Sequence, residues 1–217
     1  MESMLLAVLA GIPLVMLAFS LLPASLADAH VRGLRRLVSG LSAVQLITAI
    51  FGTFFIAFRL ATDSAASEFN GVAVVWAPFG VQSNLGTVWL DGASSLMYLM
   101  VSFVGWVICR YSVQYLDGDA SQGNFFRWVA FTLGAVSMMV VCGDLVTLLA
   151  AWIATSFGLH HLLLHFPDSV AAKRAAWTKF AIIRIGDVAL VFSALMLYLE
   201  TETIALREIF AGLTGDT

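Results

Sequence analysis

The chain has 217 residues, 60% of them hydrophobic and 12% charged, with a mean hydropathy of +0.93. A soluble domain of this size does not need so much apolar side chain, so the composition indicates an integral membrane protein. The net charge of −3 leaves no nucleic-acid footprint. Cys109 and Cys142 form no ligand-like pair in the sequence and are assigned to packing.

A spanning helix needs ~20 largely apolar residues to cross ~30 Å of hydrocarbon, whereas a barrel strand alternates and spans with ~10. The apolar runs are long and continuous, so the expected fold is all-α: a polytopic transmembrane helical bundle of about six helices forming one membrane domain over residues 1–217. The first helix is expected at about 4–23. "ADA" at 27–29 resembles a cleavage box, but the start "MESM" carries an acid where a signal peptide has basic residues, so cleavage is not expected. The second helix is expected at 37–60, followed by an outer loop at 61–87 whose "VAVVW", bounded by Asn-Gly and Pro, suggests a short hairpin.

The third and fourth helices are placed at 88–109 and 125–143, and "CGD" joins the fourth to a fifth at 145–165 by a tight antiparallel turn. A sixth is placed at 178–199. The tail 200–217 has Leu206, Ile209, Phe210 and Leu213 at amphipathic spacing and suits a helix lying in the membrane interface.

Basic residues divide unevenly between the two ends of such a bundle. Arg32, Arg35, Arg36, Arg110, Arg127, Lys173, Arg174 and Lys179 lie on one side, against Arg59 and Arg207 on the other. The positive-inside rule then puts both termini of the chain outside the cytoplasm, which is periplasmic for a bacterial inner membrane.

An ionisable side chain inside a membrane helix costs several kcal/mol unless paired or hydrated, which makes each one a candidate for function. Asp91 and Asp144 lie near helix starts, where a carboxylate also serves as a cap for unpaired N–H groups. In "KFAIIRIGDVAL" Arg184 is three residues before Asp187 and within reach of it. Lys179, eight residues before Asp187, is expected on the same face. This set is read either as a structural ion pair or as part of a proton relay. His160, His161 and His165 sit at the end of helix five; the residue type suits proton transfer, and interfacial packing is the alternative. His161 and His165 have the i, i+4 spacing of helical metal motifs, but no third ligand accompanies them and no metal site or cofactor is expected in this chain. No nucleophile–base pair can be assembled either, so the chain is not expected to be an enzyme.

The segments "VWLDGASSLMYLMVSFVGWVICRYSVQYLDGD", "GDLVTLLAAW" and "KFAIIRIGDVAL" resemble, in order and spacing, the antiporter-like subunits of respiratory complex I (subunit L) and of Mrp antiporters. The stretch "TSFGLHHLLLHFPDSVAAKRAAWTKF" is more similar to the branch paired with the DAB inorganic-carbon accumulation system, the DabB subunits. That resemblance implies a subunit conducting H+ or Na+, bound to a large zinc-containing, carbonic-anhydrase-like partner of the DabA kind. The zinc and the chemistry of CO2 hydration to bicarbonate would then belong to the partner. The alternatives are a respiratory or Mrp-type proton-translocating subunit, and a non-conducting membrane anchor for a catalytic partner.

By the same resemblance, Arg184, Gly186 and Asp187 match the family's R-x-G-D, and Asp91 and Asp144 match its other acids. Three departures stand out. Ile153 follows Trp152 where respiratory members carry a membrane glutamate, and Lys179 is one residue off the usual lysine register. The chain also holds only the leading helices and the start of the first of two inverted repeats, as expected of either a piece of a longer chain or a split subunit.

Overall fold

The computed structural model describes residues 2–62, 86–119, 121–165 and 170–214, and among them the regular structure is helical. Helix α1 (Glu2–Ala18) gives way to a 3-10 turn at Phe19–Leu21, and the short α2 (Ala24–Ala29) starts immediately after Pro23. Then come α3 (Val31–Thr62), α4 (Gly92–Tyr115), α5 (Gln122–Val141), α6 (Leu145–Leu163), α7 (Val170–Thr201) and α8 (Leu206–Thr214). Five of these, α3 to α7, are long and apolar enough to cross a membrane; α1 contributes a shorter apolar stretch, Val8–Ala18.

The helices differ from the apolar runs mainly at their polar ends. α3 begins at Val31 rather than 37 and α7 at Val170 rather than 178. Arg, Lys and Ala are strong helix formers, so "VRGLRRL" and "VAAKRAA" wind as helix outside the hydrocarbon, where hydropathy gives no signal. α1 ends earlier than residue 23, because Pro23 cannot continue the preceding turn and instead sits at the N-cap of α2. The hairpin expected around "VAVVW" lies outside the described residues. The tail carries the expected amphipathic helix as α8, with Ile209 buried and Phe210 exposed.

α1 is threaded against α5, and small residues permit the approach. A Cβ added at Gly134 would come within 2.7 Å of the Pro13 carbonyl. Pro13 lacks the N–H that would bond the Leu9 carbonyl one turn back, which would leave that acceptor orphaned in the core. Tyr98 of α4 supplies the missing donor: its hydroxyl donates to the Leu9 carbonyl at 3.0 Å, and the ring is 1% exposed. Nearby the Gln45 amide donates to Ser137 Oγ at 2.6 Å, joining α3 to α5. Leu9, Ala49, Ile56, Tyr98 and Val141 make one apolar cluster, and Met16, Val38, Cys109, Phe126 and Ala130 are the centre of a second. Both cysteines are buried free thiols.

One end of the bundle is tied by backbone. Gly143 N–H donates to the Thr87 carbonyl and Trp89 N–H to the Val141 carbonyl, each at 2.7 Å. Leu145 N–H donates to Ile204 and Leu206 N–H to Gly143. The segment before α4, the α5–α6 turn and the segment after α7 therefore meet in one knot. The opposite end carries the basic residues: Arg35 pairs with Asp117 at 2.9 Å, and Arg127 donates to the Leu22 carbonyl.

Candidate functional site

Helix α6 is apolar almost all round, but Trp152, Ser156 and His160 recur every four residues and share one face. That face meets α7, which runs antiparallel and presents Phe180, Arg184 and Asp187. The pairing is a ladder. The Trp152 indole N–H donates to Asp187 Oδ1 at 3.0 Å, Arg184 donates to Ser156 Oγ at 3.0 Å, and the His160 ring lies 4.6 Å from that of Phe180. Arg184 also closes on Asp187 Oδ2 at 2.8 Å and rests over the Phe180 ring, 4.9 Å from its centroid. Asp187 is buried, whereas a third of the Arg184 side chain remains exposed.

The position of α6 depends on Gly158, whose missing Cβ would otherwise run into the Thr132 hydroxyl and the Phe131 ring of α5. With its back pressed to α5 in this way, α6 presents Ser156 and His160 to α7. Burying an aspartate is tolerable here because Asp187 is ion-paired with an arginine and accepts from an indole, and its charge would otherwise lie unpaired in a low-dielectric setting.

The structure separates other residues that the sequence grouped. Lys179 is off the ladder: eight residues turn an α-helix ~80° past two full turns, whereas Phe180, seven before Asp187, lies in line. The Lys179 ammonium is buried without a hydrogen-bond partner among the described residues, and its side chain lines a groove with Arg174, Thr178 and Ile182. His161 points to α5 instead of α7, stacked on Trp128 with centroids 3.9 Å apart. His165 sits at the basic end, 3.6 Å from Asp119 and edge-on to Phe125. His160 and His161 still meet edge-on, with centroids 5.9 Å apart, while their main contacts go to α7 and α5, and no group of three or more metal-ligating side chains occurs among the described residues.

Asp91 and Asp144 are at the knotted end, away from the ladder. Asp91 caps α4 through a reciprocal box with Ser94. Asp144 is 0% exposed and accepts three backbone N–H bonds, from Thr147 at 2.7 Å, Gly86 at 2.9 Å and Thr87 at 3.2 Å. Outside the membrane, the Ser121 N–H and then its hydroxyl hold the Asp119 carboxyl below its usual range, with nearby His165 adding to the effect. Trp152 and Ser156 are the members of the site that sequence reasoning did not single out as ligands of the ion pair; their common face with His160 was the available sign.

Two family models match: one described as complex I chain 5 N-terminus over residues 76–126, and one described as the NADH:quinone oxidoreductase/Mrp antiporter transmembrane region over residues 142–216. This chain belongs to the antiporter-like membrane subunit family. The ladder lies within the second match.

Curated relatives include a protein named probable inorganic carbon transporter subunit DabB from Hydrogenovibrio crunogenus, 32% identical over 152 residues covering 70% of this chain and 29% of that protein. DabB1 of Halothiobacillus neapolitanus is 28% identical and covers 90% of this chain and 34% of its own length. NADH-quinone oxidoreductase subunit L of Escherichia coli is 27% identical, covering 79% of this chain and 27% of that subunit. The chain thus spans about a third of the length of the curated relatives it matches. In fold it is similar to a chain of the membrane-bound sulfane sulfur reductase, an archaeal respiratory membrane complex, with a TM-score of 0.73 at 14% identity over 94% of this chain and 39% of the other.

Proposed function

We propose that this chain is the antiporter-like part of a membrane subunit that couples a proton or sodium gradient to inorganic-carbon accumulation. The observation carrying the reading is the α6–α7 ladder, a buried carboxylate held by an arginine and an indole within a family matched most often, among the relatives described above, by DabB proteins. Protonation of Asp187 would cancel its attraction to Arg184, leaving the guanidinium on Ser156 and the Phe180 face. On this reading Arg184 keeps a partner whether or not Asp187 carries its proton, as a proton-passing element requires.

The chemistry is assigned to a partner, a large zinc-containing, carbonic-anhydrase-like protein of the DabA kind that converts CO2 to bicarbonate. The support for this assignment is the similarity to DabB proteins. The basic end supports an inner-membrane orientation with both termini of this chain periplasmic.

A second reading, a non-conducting anchor, is favoured by Ile153, which puts a half-buried aliphatic side chain where respiratory members have glutamate. The relatives named subunit L favour a respiratory role. Purification of the intact protein in mild detergent separates the carbon assignment from the respiratory one. A large polypeptide copurifying with bound zinc is the expected result, and quinone oxidoreductase subunits in its place would overturn the carbon assignment.

A further inference from the structure

Away from the ladder, α3 and α4 diverge at the basic end around a groove of about 650 Å³. Its walls include Arg35, Arg36 and Ser39 from α3 and Trp106, Arg110 and Tyr111 from α4. Arg35 is committed to Asp117, but Arg36 and Arg110 make no hydrogen bond or ion pair among the described residues. Two uncommitted guanidiniums lining one groove offer charge-assisted donors to an anion.

Beyond the groove both helices expose apolar side chains. From Arg36 and Ser39, helical spacing leads along α3 to Ile47, Ile50 and Phe54; from Arg110, it leads along α4 to Phe103, Met100 and Leu96. All six are exposed. Fourteen residues of α4 separate Arg110 from Leu96, ~21 Å of helix, more than the ~15 Å depth of one leaflet's hydrocarbon. The indole of Trp106 and the phenol of Tyr111 lie where the basic cleft meets these apolar side chains, as interfacial aromatics do.

We propose that this groove binds the phosphodiester headgroup of an anionic phospholipid, with Arg36 and Arg110 as the phosphate clamp and the acyl chains along α3 and α4. The charge pattern selects a phosphate anion, and the exposed apolar side chains beyond it select one that carries acyl chains over a free ion. A basic pocket between membrane helices has the composition of known headgroup sites.

The test uses the intact protein in detergent, titrated with phosphatidylglycerol or phosphatidylcholine and read by native mass spectrometry. Wild type is expected to retain phosphatidylglycerol preferentially, and Arg36→Gln/Arg110→Gln to weaken that binding roughly 30-fold, from the loss of two basic residues at the headgroup level. Ser39→Asp, which keeps both arginines and adds a repelling carboxylate, is expected to reduce phosphatidylglycerol binding as well. Unchanged preference in both variants overturns the proposal. A parallel arm adds millimolar inorganic phosphate: weak competition supports the lipid, whereas full displacement together with equal retention of both lipids would make the site one for a free anion and overturn it.

Discussion

Asp144 and Asp187 are both buried carboxylates, yet the regions around them are built on different principles. Asp144, in the knot at one end of the bundle, is surrounded by backbone donors from Gly86, Thr87 and Thr147. Asp187, on the α6–α7 seam, is held by two side chains, Arg184 and Trp152. Backbone N–H groups do not change rotamer, so the donors around Asp144 are fixed by the fold. On the proposed reading, the seam has two states, because Arg184 keeps its bond to Ser156 if the carboxylate is protonated. Burial of an acid therefore identifies a candidate, and the kind of donor around it separates a tie from a switch.

The comparison breaks most visibly at the knot. Asp144→Ala would orphan three N–H donors and remove the α6 cap, at a cost of about 3 kcal/mol or more. Thermal unfolding in detergent should show a drop of several degrees and reduced yield; wild-type stability would mean that the carboxylate is not the tie described. On the seam, Trp152→Phe removes one charge-assisted hydrogen bond and keeps the aromatic volume. Transport by the intact complex is expected to fall about tenfold, equivalent to ~1.4 kcal/mol, with little change in unfolding temperature. An equal loss of stability and transport would place the seam with the knot.

Asp91→Ala sharpens the contrast among caps, since it breaks one capping box and is expected to cost about 1 kcal/mol of stability with transport retained per assembled complex. The smallest effect belongs to Asp119. Its carboxyl is held below its ordinary value of 3.8, so the stability it adds is complete above that pH and lost as pH falls through the lower folded value. Acid unfolding of Asp119→Ala should match wild type under strongly acidic conditions and be slightly easier above that range, a difference invisible in a mutant series if Asp119 is unpaired in solution.

Much of the bundle was legible because apolar runs report the hydrocarbon thickness directly, and the ionisable residues within them stood out by their cost. Less legible was which side of each helix meets which neighbour. α6 and α7 are apolar nearly all round, so no stripe marks the buried face. Spacing alone is too coarse a guide: eight residues put Lys179 ~80° away from Asp187, and His161 and His165 turn toward α5 and the basic end. The Arg184–Asp187 pair was readable because i, i+3 geometry is local. Trp152 and Ser156 come from another helix, and the Gly158 contact that turns them toward α7 depends on Thr132 and Phe131 of α5. The Tyr98 donor for the carbonyl freed by Pro13 is likewise a long-range match that no window of sequence contains.

The central claim is that the seam is a switch and the knot is a tie, and Asp187→Asn tests it most directly. Gradient-driven inorganic-carbon uptake should be measured in cells expressing the intact protein with its partner and normalised to the amount of assembled complex. Wild-type levels of complex with uptake reduced to background are expected, because Asn preserves the shape and the indole contact but cannot exchange a proton. Full uptake per complex, or loss of uptake only in proportion to lost complex, would contradict that claim.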